Sequence, residues 1–197
     1  MNTLKMLGLK DNWLYEVVVS SYKGQIPHAA PFGMKIRNFN KIIIEMYKGS
    51  STLKNVLAEK EFALNAVDDP TIFYNTLYRK EKINFGIAEL INAPVLLHSP
   101  LSIEARLETT TEKENSYLFE ADIVHINTRR DGKFTNRAKA LVLESLILST
   151  RTGLIPQKEL EKALKENYRI IKKVAPGSEY EIVMHDLLTD KLGLEEK

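Results

Sequence analysis

Six β-rich runs, set apart by turn residues and short polar segments, occupy residues 13–129, and helix-like spacing of apolar residues takes over after them. Residues 13–22 (WLYEVVVSSY) are rich in β-branched and aromatic side chains, and Lys23-Gly24-Gln25 offers a tight turn into residues 26–36, which predicts a hairpin. Residues 41–47 (KIIIEMY) read as a third strand, 51–60 as a short helix and 61–67 (EFALNAV) as a fourth strand. Asp68-Asp69-Pro70 has the acidic cap and first-turn proline of a helix start, running toward Tyr78. Residues 101–112 and 116–129 form two long β-runs joined by Lys113-Glu114-Asn115.

A doubly wound parallel sheet needs a full crossover helix between successive strands, and these helices are too short and too few for that. A closed or partly closed antiparallel barrel is expected. After Asp131-Gly132 the character changes. Asn136 can cap a helix to about Thr150, with Gly153 as its stop, and Pro156 opens a second helix to about Val174. Ser178 and Glu181 then stand in capping-box spacing before a third helix. The predicted organisation is a mainly β domain with some α, residues 1–132, followed by a helical extension, residues 133–197.

Composition narrows the chemistry. The chain has 197 residues, 44% of them hydrophobic and 27% charged, enough for one well-buried domain with an appendage. Its net charge of +2 names no polyanionic partner, so nucleic acid is not expected. Cysteine is absent, which excludes disulfides, thiolate metal sites and cysteine nucleophiles. The first residues lack an apolar stretch with a small-residue cleavage site, and the longest apolar run, 141–148, is broken by Glu144 and Ser145. A soluble cytoplasmic protein without a membrane span is the expectation.

Two segments concentrate groups suited to a ligand. Lys48, Gly49, Ser50, Ser51 and Thr52 place a cation and three hydroxyls at a strand-to-helix turn, where free N–H groups and the positive end of the helix dipole favour an anion such as a phosphate. The same residues also serve a turn in which Ser51 or Thr52 merely caps the helix. In PHAAPFG, His28, Ala29, Ala30, Pro31, Phe32 and Gly33 form a stretch of small side chains against which a planar heteroaromatic could lie. Proline and glycine in an edge strand, with alanines for close packing, is the competing reading. The four histidines, His28, His98, His125 and His185, show no ligand spacing, so a metal site is not expected.

In order, WLYEVVVSSYKGQIPHAAPFGMKI and YKGSSTLKNVLAEKEFALNAV resemble the FMN-binding split-barrel flavoproteins: a first hairpin, an N/H-A-x-P/S-x-G-like second strand, a Ser/Thr-rich phosphate turn, a short helix and an F-x-x-N strand, here Phe62 to Asn65. NTRRDGKFTNRAKALVLESLILSTR is similar, more narrowly, to a largely archaeal branch of that superfamily with a C-terminal helical extension. The resemblance implies a six-stranded antiparallel split barrel and FMN as cofactor. It places Lys48, Ser50, Ser51 and Thr52 around the phosphate and residues 28–33 along the isoalloxazine. It further implies a homodimer whose second subunit completes the site. Arg137, Glu144 and Arg151 recur every seven residues along one stripe of their helix, which reads first as a solvated or inter-helical ion-pair ladder and alternatively as bringing Asn136 and Arg137 to the partner subunit's cofactor. Leu141, Val142, Leu146, Ile147, Leu160, Ala163, Leu164 and Ile171 fall near helical faces that can form a seam against the barrel or the second subunit. Neither the substrate-binding residues of pyridoxamine-phosphate oxidases nor a nicotinamide signature of flavin reductases is recognisable. An oxidoreductase with unidentified donor, acceptor and catalytic residues is the leading expectation; a non-enzymatic FMN carrier or sensor, or a barrel for another phosphorylated ligand, are the alternatives.

Overall fold

The computed structural model describes residues 3–191 and 193. They divide into two compact units, residues up to 11 with 15–135, and residues 12–14 with 136 onward. The chain runs through strands β1 (Leu14–Lys23), β2 (Ile26–Arg37), β3 (Lys41–Tyr47), β4 (Glu61–Asn65), β5 (Phe85–Ile87), β6 (Pro94–Leu96), β7 (Leu101–Glu112) and β8 (Ser116–Thr128). Helices α1 (Thr3–Met6), α2 (Ser51–Glu59) and α3 (Pro70–Tyr78), with a 3₁₀ turn over Lys80–Lys82, complete the first unit.

Six of these strands close into an antiparallel barrel in the order β1-β2-β3-β8-β7-β4. The register explains the closure. Val19 lies opposite Leu64 and Leu64 opposite Ile103, while Met34, Ile44 and Phe119 line up across β2, β3 and β8, as do Ile36, Ile42 and Ala121. All nine are almost wholly buried, because side chains alternate across a strand and every second residue meets its neighbours inside. The intervening positions carry ion pairs outside, among them Arg37–Glu120 at 2.6 Å and Lys41–Asp122 at 2.6 Å. Such exposed pairs contribute little to stability.

The small β5–β6 sheet is additional to the six predicted strands. It pairs Phe85 with Leu96 and Ile87 with Pro94, and three-residue strands carry too few positions to show a period. Residues between them cover Glu104 of β7, a residue 1% exposed whose carboxylate accepts the Glu89 N–H at 2.7 Å and the Leu90 N–H at 2.8 Å.

The second unit is helical: α4 (Ala138–Ser149), α5 (Gln157–Val174), α6 (Glu179–Asp186) and a π-helical turn over Leu187–Lys191. Asn136 opens it. Its Oδ1 accepts the Ala138 N–H at 2.9 Å, while Nδ2 donates to the Leu14 and Val174 carbonyls, each at 2.8 Å. Leu160, Leu164, Tyr168 and Ile171 recur at helical spacing on α5 and pack with Val142 and Met184. The Ser178 hydroxyl accepts the Glu181 N–H at 3.2 Å as expected of a cap, but the Glu181 carboxylate reaches back to the Gly177 N–H rather than to Ser178. Helix α4 is apolar on nearly every face. Val142 is buried in the unit's core, whereas Leu143, Leu146 and Ile147 stay 60%, 42% and 38% exposed.

Candidate functional site

The two segments singled out from sequence meet. His28 on β2 and Thr52 in the first turn of α2 approach to 3.1 Å between Nε2 and Oγ1, although 24 residues separate them in the chain. Thr52 is 1% exposed and His28 half-buried. Ser50 takes the cap position, extended at φ −70° and ψ 142°, and its hydroxyl accepts the Leu53 N–H at 3.1 Å. The helix is thus capped by a hydroxyl of this turn, but by Ser50 and not by the Ser51 or Thr52 expected from sequence. Ser51 stands exposed at the first helical position, and Gly49 makes the preceding turn with φ +90°, a conformation that suits glycine.

Lys48 points elsewhere. Its Nζ lies 2.6 Å from Glu112 on β7 and 5.4 Å from the centre of the Tyr117 ring. The hydrogen bond to Glu112 holds the Lys48 ammonium above its usual pKa and draws the Glu112 carboxyl below its own. This pair is exposed at both ends, so exchanging Glu112 for an anionic ligand would cost Lys48 little.

PHAAPFG lies wholly inside β2, with Ala29 buried and Ala30, Pro31, Phe32 and Gly33 half-buried. The β2–β3 ladder runs only from Met34 opposite Ile44 to Arg37 opposite Lys41. Residues 26–33 have therefore left β3, and their backbone on that side is not engaged by the barrel ladder. Small side chains here would leave a flat ligand access to the main chain.

Sequence reading missed the other wall of this place. Thr76 of α3, Lys80 and Ile83 around the 3₁₀ turn, and Phe85 of β5 enclose a small cleft with Pro27, His28 and Ala29. Lys80 sits in the run RKEK, whose charges look like any solvated surface, so no local signal marked it. Burial first, and then the positive charge of Lys80, keep the His28 imidazole below its ordinary pKa of 6.5. A neutral imidazole, a buried hydroxyl, a lysine and the start of a nine-residue helix thus converge. That donor set matches a phosphate monoester, which would supply the negative charge that Lys80 and the helix terminus lack. Asn136 and Arg137 belong to the other unit, where the Asn136 amide is engaged by the backbone of Leu14, Ala138 and Val174 and Arg137 is exposed. Among the described residues, no group of three or more His, Asp or Glu side chains could hold a metal ion, and no helix is long and apolar enough to cross a membrane.

Residues 15–130 match the N-terminal domain, and residues 136–187 the C-terminal domain, of a family described as protein of unknown function DUF447. The chain belongs to the DUF447 family. A crystal structure of an FMN-bound DUF447 protein from Methanosarcina mazei is similar over 92% of this chain and 96% of that one, with 22% identity and a TM-score of 0.55. The NADH:FAD oxidoreductase of Streptomyces globisporus matches 62% of this chain and 81% of its own, at 13% identity and a TM-score of 0.54. A flavin reductase complexed with NADP+ matches 67% and 89%, at 15% identity and a TM-score of 0.55. At these identities the likeness shows the fold, a six-stranded split barrel with helices, as the resemblance in PHAAPFG and YKGSST implied. In this DUF447 chain both family domains follow the same order as the two compact units.

Proposed function

We propose that this DUF447 protein binds flavin mononucleotide between β2 and the start of α2 and works as a cytoplasmic, homodimeric oxidoreductase. The observation that carries the reading is the 3.1 Å approach of His28 to Thr52, which joins the small-residue strand to the hydroxyl-rich turn. The FMN-bound DUF447 relative and the flavin-reductase fold support it. His28 stands at the phosphate end with Ser51, Thr52 and Lys80, and Lys48 turns in from Glu112. Ala29 to Gly33 lead away along β2 at about 3.3 Å per residue, leaving room for the ring beside their backbone. Bound FMN supplies hydride and single-electron transfer; the protein positions it and shields it from water.

The homodimer rests on the face of α4 that carries Leu143, Leu146 and Ile147, apolar surface that a second copy would cover. Asn136 fixes the start of that helix, and Arg137 of the partner subunit completes each cofactor site.

Calorimetry with FMN and riboflavin tests the phosphate seat. Each charge-assisted hydrogen bond is worth about 1.5–3 kcal/mol, so FMN should bind roughly tenfold to hundredfold more tightly than riboflavin. Ser51→Ala with Thr52→Val should shrink the difference, leaving the share held by Lys80, Lys48 and the start of α2. Equal affinity of the wild type for both ligands would refute the seat, and a protein that gains no absorbance bands near roughly 370 and 450 nm after exposure to FMN and desalting would refute the cofactor. Sedimentation at micromolar concentration reads the assembly, and a monomer that binds FMN tightly would refute the shared site.

A further inference from the structure

A second cleft shares Ile83 with the one beside His28 and Ala29. Its floor is apolar, made by Ala66, Val67, Ile72, Leu96 and Pro100, and its rim carries Asp68, Asn75, Lys82, Asn84 and His98. These rim side chains come from separate segments: the β4–α3 connection, helix α3, the 3₁₀ turn, the approach to β5 and the stretch after β6. None of them makes a side-chain hydrogen bond or ion pair among the described residues. Unpaired polar groups gathered around an apolar floor are the usual composition of a small-molecule site, because the floor accepts a ring and the rim selects its edge.

From this arrangement we infer that the cleft binds a small, uncharged ring compound carrying a carboxamide. Charge argues for neutrality: the rim offers one carboxylate, Asp68, and one ammonium, Lys82, so an ion of either sign would gain one partner and meet one like charge. Asn75 argues for the amide. It is half-buried, and its side chain presents a donor and an acceptor side by side, which pair reciprocally with the acceptor and donor of another carboxamide. The cleft is also coupled to the strand of the other site. Val67, Leu96 and Ala29 share one packed cluster against which Ile72 and Ile83 lie, so the floor of this cleft and Ala29 of β2 belong to the same packed group. A role beside the flavin rests on the proposed function; the cleft's own ligand class does not.

Methyl-resolved NMR of the full chain, labelled at isoleucine, tests the inference with benzamide as probe and benzoate and benzylamine as its charged counterparts. Benzamide at millimolar concentration should shift the Ile72 and Ile83 methyls saturably and leave Ile103 inside the barrel in place. Both charged probes should bind about tenfold more weakly or worse, and Asn75→Leu should weaken benzamide by a similar factor with the remaining methyl spectrum preserved. Absence of saturable shifts, equal response to benzoate, or unchanged affinity in Asn75→Leu would each overturn it. The same samples titrated with FMN separate the two readings: benzamide shifts without any FMN response would sink the flavin site and leave this one standing.

Discussion

Asn65 should be among the most costly polar residues of the barrel to replace. It ends β4, is fully buried, and ties three strands with one amide: Nδ2 donates to the Val18 carbonyl at 3.0 Å and to the Ser20 hydroxyl at 2.8 Å, and Oδ1 accepts the Leu96 N–H at 2.8 Å. In Asn65→Ala the Leu96 N–H is left in a buried strand without that acceptor, at about 1–3 kcal/mol. Two more hydrogen bonds vanish at about 0.5–1.5 kcal/mol each. Ser20 still donates to the Pro94 carbonyl, which softens its share, so the whole loss should fall near 2–4 kcal/mol. Asn65→Asp is the sharper control. It keeps an acceptor for Leu96 but turns an anion toward the Val18 carbonyl, so it should be worse than alanine at neutral pH and recover in acid, where the protonated carboxyl donates again. Urea unfolding followed by circular dichroism measures both variants. A loss below about 1 kcal/mol for Asn65→Ala, or an Asn65→Asp as stable as wild type at neutral pH, would refute the clamp.

Stability should also respond to His28. Its pKa in the folded protein lies below 6.5, so the unfolded chain takes up the proton first as pH falls; the contribution is complete above about 6.5, declines as pH drops through the folded value, and then levels off. His28→Gln should flatten that part of the stability profile, and an unchanged slope would contradict the burial argument. Lys60 closes α2 in the left-handed region at φ 61° and ψ 0°, so Lys60→Gly should stabilise the chain by about 0.5–1 kcal/mol in thermal unfolding, and a loss would contradict the strain. Gly132 matters for space rather than for backbone angle: a Cβ there would meet the Pro100 ring carbons at 2.4 Å, so Gly132→Ala should lower the melting temperature and Gly24→Ala, with open space but φ +63°, should do so through strain instead.

Much of the architecture was legible because it is written in local chemistry. Two-residue alternation, Lys-Gly and Lys-Glu-Asn turns, Asp69 before Pro70 and Ser178 before Glu181 each act within a few residues, and the barrel strands and helices fall within a residue or two of where those signals put them. The Leu160–Leu164–Ile171 face was legible for the same reason, whereas Leu146 and Ile147, equally apolar, could not be told from core residues, because period alone does not say which side of α4 finds a partner.

What only the tertiary structure decided is how the candidate site is assembled. Sequence concentrated attention on Lys48, Ser50, Ser51 and Thr52 as one cluster, but folding separates their roles: Lys48 turns to Glu112, Ser50 caps α2, and Thr52 meets His28. Lys80 and Ile83 enter from the 3₁₀ turn, and Ile83 comes to line two clefts. No pattern along the chain encodes these meetings. Propensity and capping are set by neighbours in sequence, while a site is set by which distant side chains the closed barrel brings within a few ångströms, and that depends on strand register and crossover, the sum of many weak contacts rather than any one of them.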